Sequence, residues 1–166
     1  IELVDTEGRT NADPIRYTIT TQTDGYPTIS LLEPITDTQL PKEATITVRS
    51  AVTDDYGFSG MKLMYRLAES RYAVPDKQFH AVNIPMGSIG VSGEVSYLWD
   101  LNALGISPED KYEFYVEVFD NDRVTGPKSA KTSTLSVRLP SLDEVFKQAD
   151  KTQKDAIKEL EQVMKK

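Results

Sequence analysis

The sequence predicts a mainly β chain, a sandwich of antiparallel strands that ends in a single α-helix. Three observations carry that expectation. Apolar and polar residues alternate at period two through much of residues 15–139. Turn-forming clusters break the alternation at intervals of about 8–12 residues, the spacing of a β-sandwich. Residues 141–166 contain neither Gly nor Pro and place apolar or small residues at helical steps.

The chain opens on Ile1-Glu2-Leu3-Val4, which already reads as strand, the opening expected of an excised fragment. Ile15, Tyr17 and Ile19 then alternate with Arg16, Thr18 and Thr20. Seven further runs place strands near 28–33 (Ile29, Leu31), 44–53 (Ala44, Ile46, Val48, Val52), 60–68 (Met61, Leu63, Tyr65, Leu67) and 79–84 (Val82, Ile84), then near 94–101 (Val95, Tyr97, Trp99, Leu101), 112–119 (Tyr112, Phe114, Val116, Val118) and 131–139 (Leu135, Val137, Leu139). Between them lie Asp24-Gly25, Leu40-Pro41-Lys42, Asp54-Asp55-Tyr56-Gly57, the stretch from Gly87 to Gly93, and Gly126-Pro127, all turn chemistry. Alternation gives each strand one wet face, as in antiparallel sheets. Leu104 to Tyr112 leads straight into a strand and resembles the E–F corner of fibronectin type III and related sandwiches. There a Tyr at the start of strand F bonds back to the corner backbone, so Tyr112 takes that part, with Trp99 and Leu101 packing below. The predicted fold is an immunoglobulin-like, fibronectin type III-like β-sandwich over residues 26–139, with strands A, B, C, C′, E, F and G in the order given.

An internal repeat accounts for residues 1–25. Val116-Glu117-Val118-Phe119-Asp120 matches Ile1-Glu2-Leu3-Val4-Asp5. Both runs continue through a polar turn with an Arg (Arg123; Arg9), reach a Pro (Pro127; Pro14) and enter a Thr-rich alternating run. Residues 1–25 are expected to be the terminal hairpin of a preceding, similar domain. A lone hairpin is marginal in water, so it is expected to pack on the sandwich or to pair with a neighbouring chain through its open edge.

Pro140 stops the last strand, and Ser141-Leu142-Asp143-Glu144 reads as a capping box with Ser141 as N-cap and Glu144 at N3. Phe146, Ala149, Gln153, Ala156, Leu160 and Val163 follow in steps of three and four, a heptad seam. Residues 140–166 are expected to begin a longer helical or coiled-coil region, through which weak self-association is possible. The alternative is a solvated helix docked only by Leu142, Val145 and Phe146.

Composition narrows function by exclusion. The chain has 166 residues, 39% of them hydrophobic, enough for a real core, and a net charge of −7. That charge disfavours nucleic acid and anionic lipid as direct partners. The absence of cysteine excludes disulfides, thiolate zinc sites and a cysteine nucleophile. No apolar run approaches the roughly 20 residues needed to span a bilayer.

The candidate site is acidic. Asp54 and Asp55, and Asp120, Asn121 and Asp122, fall in loops that lie at the same end of such a sandwich, and five oxygen-bearing side chains suit a hard cation such as Ca²⁺. The competing reading is turn chemistry, since Asp and Asn cap turns and Gly57 supplies positive φ. His80, the only histidine, has no nearby Ser or Cys nucleophile. Gly87, Gly90 and Gly93 mimic a phosphate loop but precede no helix. Tyr72, Phe79, Tyr115 and Phe119 suit either a carbohydrate or protein patch or cross-strand pairing. No catalytic constellation and no resident cofactor are expected, and the partners expected are proteins or neighbouring domains of the same chain.

Asp54-Asp55-Tyr56-Gly57-Phe58-Ser59, Leu63-Met64-Tyr65-Arg66-Leu67, Asp120-Asn121-Asp122 with Gly126-Pro127-Lys128, Trp99-Asp100-Leu101 and Pro140-Ser141-Leu142 together resemble an uncharacterised family of large, membrane-anchored bacterial proteins. Its members carry extracytoplasmic β-domains and long helical C-terminal regions, and the resemblance covers roughly residues 1–146. It implies a membrane-tethered parent and a periplasmic setting, and no activity.

Overall fold

The computed structural model describes residues 2–11, 13 and 16–164, with helix side chains described as far as Lys158. Ile1, Pro14 and Ile15 of the repeat, and the side chains of Leu160 and Val163 of the heptad seam, lie outside the described residues.

The chain folds as a β-sandwich of two sheets with a C-terminal helix. The strands are β1 (Thr28–Glu33), β2 (Thr38–Gln39), β3 (Thr45–Thr53), β4 (Phe58–Glu69), β5 (His80–Asn83), β6 (Ser92–Asp100), β7 (Lys111–Asp120), β8 (Ser129–Lys131) and β9 (Leu135–Arg138), and the helix is α1 (Leu142–Met164). One sheet has the order β1-β3-β6; the other runs β2-β9-β7-β4-β5, with β8 also paired to β7. Each of the seven strands expected for the sandwich over residues 26–139 is present within four residues at either end.

The alternation works because the register keeps parity across strands. Leu63 stands opposite Val116, Met61 opposite Val118, and Leu67 opposite Tyr112, so one face of the β4–β7 pair is continuously apolar. Val48, Val52, Val95 and Trp99 answer it from the other sheet, all buried. Trp99 spans the gap between sheets: its ring lies 5.4 Å from Phe114, 5.5 Å from Tyr65, and edge-on to Tyr112 at 6.4 Å. These centroid separations are those of favourable aromatic pairs.

Three features depart from the sequence reading. Strand G is interrupted. Thr132 donates its N–H to Val116 O and accepts the Val116 N–H on Oγ1, satisfying both backbone groups while β8 gives way to β9. The two-residue β2, parallel to β9, is too short to show a period. The corner before β7 is held by Asp110 rather than by a tyrosine hydroxyl. Asp110 Oδ2 accepts the Ser107 N–H at 2.8 Å, and among the described residues Tyr112 makes no hydrogen bond to the corner backbone. Burial raises the Tyr112 phenol above its ordinary 10, with nearby Asp110 adding to it.

The N-terminal end of the chain differs from expectation as well. Near the N-terminus, among the described residues, the expected hairpin shows one bridge, Val4 with Thr10, closed by Asp5, whose Oδ1 accepts the Glu7 and Arg9 N–H groups. Tyr17 and Ile19 are exposed and belong to no strand, so this run does not pack on the sandwich. At the other end the capping box forms as read: Glu144 N–H donates to Ser141 Oγ at 3.2 Å and Ser141 N–H to Glu144 Oε2 at 2.8 Å. Leu142 and Phe146 are 66% and 67% exposed, so the helix is not docked on the sandwich by its first turn.

The opposed parity of adjacent β4 residues sets a test. Leu63 is fully buried and Met64 is not. Leu63→Ala is expected to cost about 2–5 kcal/mol in urea unfolding, and Met64→Ala less than about 1 kcal/mol.

Candidate functional site

The register of the sheets gathers the acidic loops at one pole. Thr28 pairs with Thr53 and Phe58 with Asp120, so the β1 start, the β3–β4 turn and the end of β7 lie together. All five residues singled out by the sequence, Asp54, Asp55, Asp120, Asn121 and Asp122, are there. Each is engaged differently from a metal shell.

Asp54 is buried, and its Oδ2 accepts the N–H groups of Tyr56 at 3.0 Å and Gly57 at 2.8 Å. Gly57 has φ +104°, and a Cβ there would meet Gly90 O at 3.4 Å, so the tight turn requires glycine. Asp55 Oδ2 accepts the Gly25 N–H at 3.1 Å, and that amide chiefly holds the Asp55 carboxyl below its ordinary value. Asn121 donates from Nδ2 to Tyr56 O at 2.8 Å. Asp120 is fully buried, and its Oδ1 accepts the N–H groups of Asp122 and Lys128. Asp122 Oδ1 accepts those of Val124 and Thr125.

Three carboxylate oxygens converge on one cation, and it belongs to the protein. Lys128 Nζ stands 2.9 Å from Asp24 Oδ2, 2.9 Å from Asp122 Oδ2 and 3.3 Å from Asp120 Oδ2. Its side chain is only 16% exposed. An ammonium has three donors, and three carboxylates receive them. Among the described residues no group of three or more His, Asp or Glu side chains is arranged to hold a metal ion. The point the carboxylates share is filled by Lys128. Two carboxylate oxygens at this pole, Asp24 Oδ1 and Asp54 Oδ1, are buried without a hydrogen-bond partner.

Sequence reasoning placed the four acids and Asn121, and missed Lys128 and Asp24 as members of the site. Asp24 reads only as a turn residue, and the 104 residues between it and Lys128 leave no local charge pattern. The repeat held a usable signal: Asp5 and Asp120 each use Oδ1 to accept the amide two residues on.

An open groove of about 870 Å³ runs beside the cluster, lined by residues 21–24, Tyr56, residues 121–125 and Lys128. Both carboxylates on its wall, Asp24 and Asp122, are bound to Lys128. His80 lies elsewhere, with Nε2 3.3 Å from Asp76 Oδ2 and its ring 5.5 Å from Tyr65. The half-buried aromatics form a packed surface on the outer face of the larger sheet. Phe79 meets Tyr115 edge-on at 5.0 Å, and Arg66, Lys131 and Lys62 lie over Phe79, Tyr115 and Phe119. Tyr72 stands apart and exposed.

No protein-family model and no curated protein matches the chain.

Protonation should follow this geometry. The Thr125 hydroxyl, then Lys128 and the Val124 and Thr125 amides, hold the Asp122 carboxyl far below its ordinary 3.8. Asp24 and Asp122 hold the Lys128 ammonium above its ordinary 10.5. A carboxyl depressed by folding stabilises the fold in full above its unfolded value, and that contribution is lost as pH falls through the folded one. Asp122→Asn is therefore expected to melt below the wild type at neutral pH and to lose less on acidification below about pH 4, so that the two melting curves converge. Parallel curves would show that Asp122 is not ion-paired in the fold.

Proposed function

We propose that the chain is a non-enzymatic, extracytoplasmic, immunoglobulin-like module of a larger membrane-anchored bacterial protein, and that it spaces or docks the parts on either side of it. The strand orders support the immunoglobulin-like assignment, since β1-β3-β6 facing β2-β9-β7-β4-β5 corresponds to A-B-E against A′-G-F-C-C′. The resemblance in the β3–β4 and β7–β8 turns supports the membrane-anchored, exported setting.

One observation carries the spacer reading: the chain arrives and leaves at opposite poles, and both junctions are pinned. It arrives where Lys128 grips Asp24 and Asp55 grips Gly25, next to the start of β1. It leaves beyond β9, whose Arg138 stands opposite Lys111 at the far end of β7. The ten residues of β7 separate the poles by about 33 Å. At the departing pole Arg138 Nη1 binds both Glu144 oxygens at 3.1 Å, which ties the helix cap to the last strand. The polar side chains of the arriving pole are spent on backbone amides and on Lys128, an arrangement that builds joints.

Backbone ¹⁵N relaxation tests the reading. Residues 24–27 are expected to be as ordered as the sandwich, to loosen in Lys128→Gln while the strands stay folded, and to ignore both millimolar Ca²⁺ and chelator. Residues 24–27 that are mobile in the wild type would contradict a fixed junction. Ordering and melting temperature that rise with Ca²⁺ would favour a Ca²⁺-stabilised adhesion or ligand-binding module instead.

A further inference from the structure

β6 is a long sheet edge without a proline, a bulge or a covering strand among the described residues. It pairs with β3 over nine residues, Ser92 to Asp100, without a bulge, and its other side carries no backbone hydrogen bond to any described residue. Long flat edges are templates for further strands, and folded proteins usually blunt them. The other edges of this sandwich are blunted. β1 breaks register between Leu31 and Glu33 and stops at Pro34, β5 has four residues, and β2 has two. β6 holds no proline, and Leu98 on its outer face is 63% exposed.

The same chain carries a segment suited to that edge. Arg16-Tyr17-Thr18-Ile19-Thr20-Thr21 belongs to no helix or strand and makes no hydrogen bond to any described residue. Its composition is β-branched and aromatic, and it alternates. Tyr17 and Ile19 are 69% and 90% exposed.

We infer that Arg16–Thr21 of one copy adds as an antiparallel strand to the β6 edge of a second copy. The register that sets Ile19 opposite Leu98 also sets Tyr17 opposite Asp100 and Thr21 opposite Ser96. The exposed apolar side chains of the two strands then share one face, and Thr18 and Thr20 turn toward the sandwich rim. Strand addition satisfies backbone groups on both partners and leaves affinity modest, as for a peptide on a sheet edge. Pairing of two β6 edges in full register is the poorer solution, because it places each Glu94 against Leu98 of the other copy. The contact goes beyond a spacer role, for it joins neighbouring copies side by side.

Sedimentation equilibrium tests the inference together with a cysteine cross-link, which is clean because the chain has no cysteine of its own. The wild type is expected to dimerise reversibly as concentration rises. Ile19→Pro and Leu98→Lys, both at exposed positions, are each expected to abolish the dimer without lowering the melting temperature. A mixture of Ile19→Cys and Leu98→Cys chains is expected to oxidise mainly to the mixed disulfide. A wild type monomeric throughout would overturn the inference. So would a dimer that survives Ile19→Pro and cross-links Leu98→Cys to itself, which would assign the contact to paired β6 edges.

Discussion

At the arriving pole of this sandwich an ammonium group sits among three carboxylates, and the loops around it are arranged to keep it there. A lysine in such a place must be fully paired, because a single unmatched charge out of water is costly. Lys128 meets that demand with partners from two distant parts of the chain: Asp24 from the segment ahead of β1, and Asp120 and Asp122 from the end of β7. Asp120 also accepts the Lys128 amide, so one side chain fixes both ends of the residue that it neutralises. Remove the cation and Asp120, fully buried, is left without its counter-charge. The Asp54 bonds to Tyr56 and Gly57, and the Asn121 bond to Tyr56, shape the neighbouring turn at the same pole.

The rest of the sandwich separates this pole from the one at which the helix begins. The aromatic contacts of Trp99 with Phe114, Tyr112 and Tyr65 lock the sheets face to face, and the long β4–β7 pair forms a rigid strut between the poles. Asp110 at the opposite corner works as Asp54 does, with a carboxylate spent on a turn amide. The same chemistry therefore shapes both ends, and among the described residues the arriving pole adds a largely enclosed cation. The helix begins at the other end, capped by Ser141 and Glu144 and tied back by Arg138.

Much of this was legible in the sequence, because period-two burial is a local signal that β6 and β7 obey along their whole length and β3 and β4 obey over part of theirs. The capping box was legible for the same reason, since its partners lie three residues apart. What escaped depends on separation or brevity. The two residues of β2 cannot display a period, and Thr132 breaks the last strand by side-chain bonding that no alternation pattern contains. Acidic residues in loops read equally well as cation ligands and as turn caps. Which they are depends on a lysine that the fold brings in from elsewhere in the sequence.

The central claim is that Lys128 is a permanent internal cation, and its side-chain ammonium can be watched directly. In a ¹H–¹⁵N spectrum of the lysine side chains, the Lys128 NH₃⁺ signal should persist in slow exchange where those of exposed helix lysines such as Lys151 are lost, and it should titrate above the ordinary 10.5. A Lys128 signal that exchanges and titrates with the helix lysines would contradict the account.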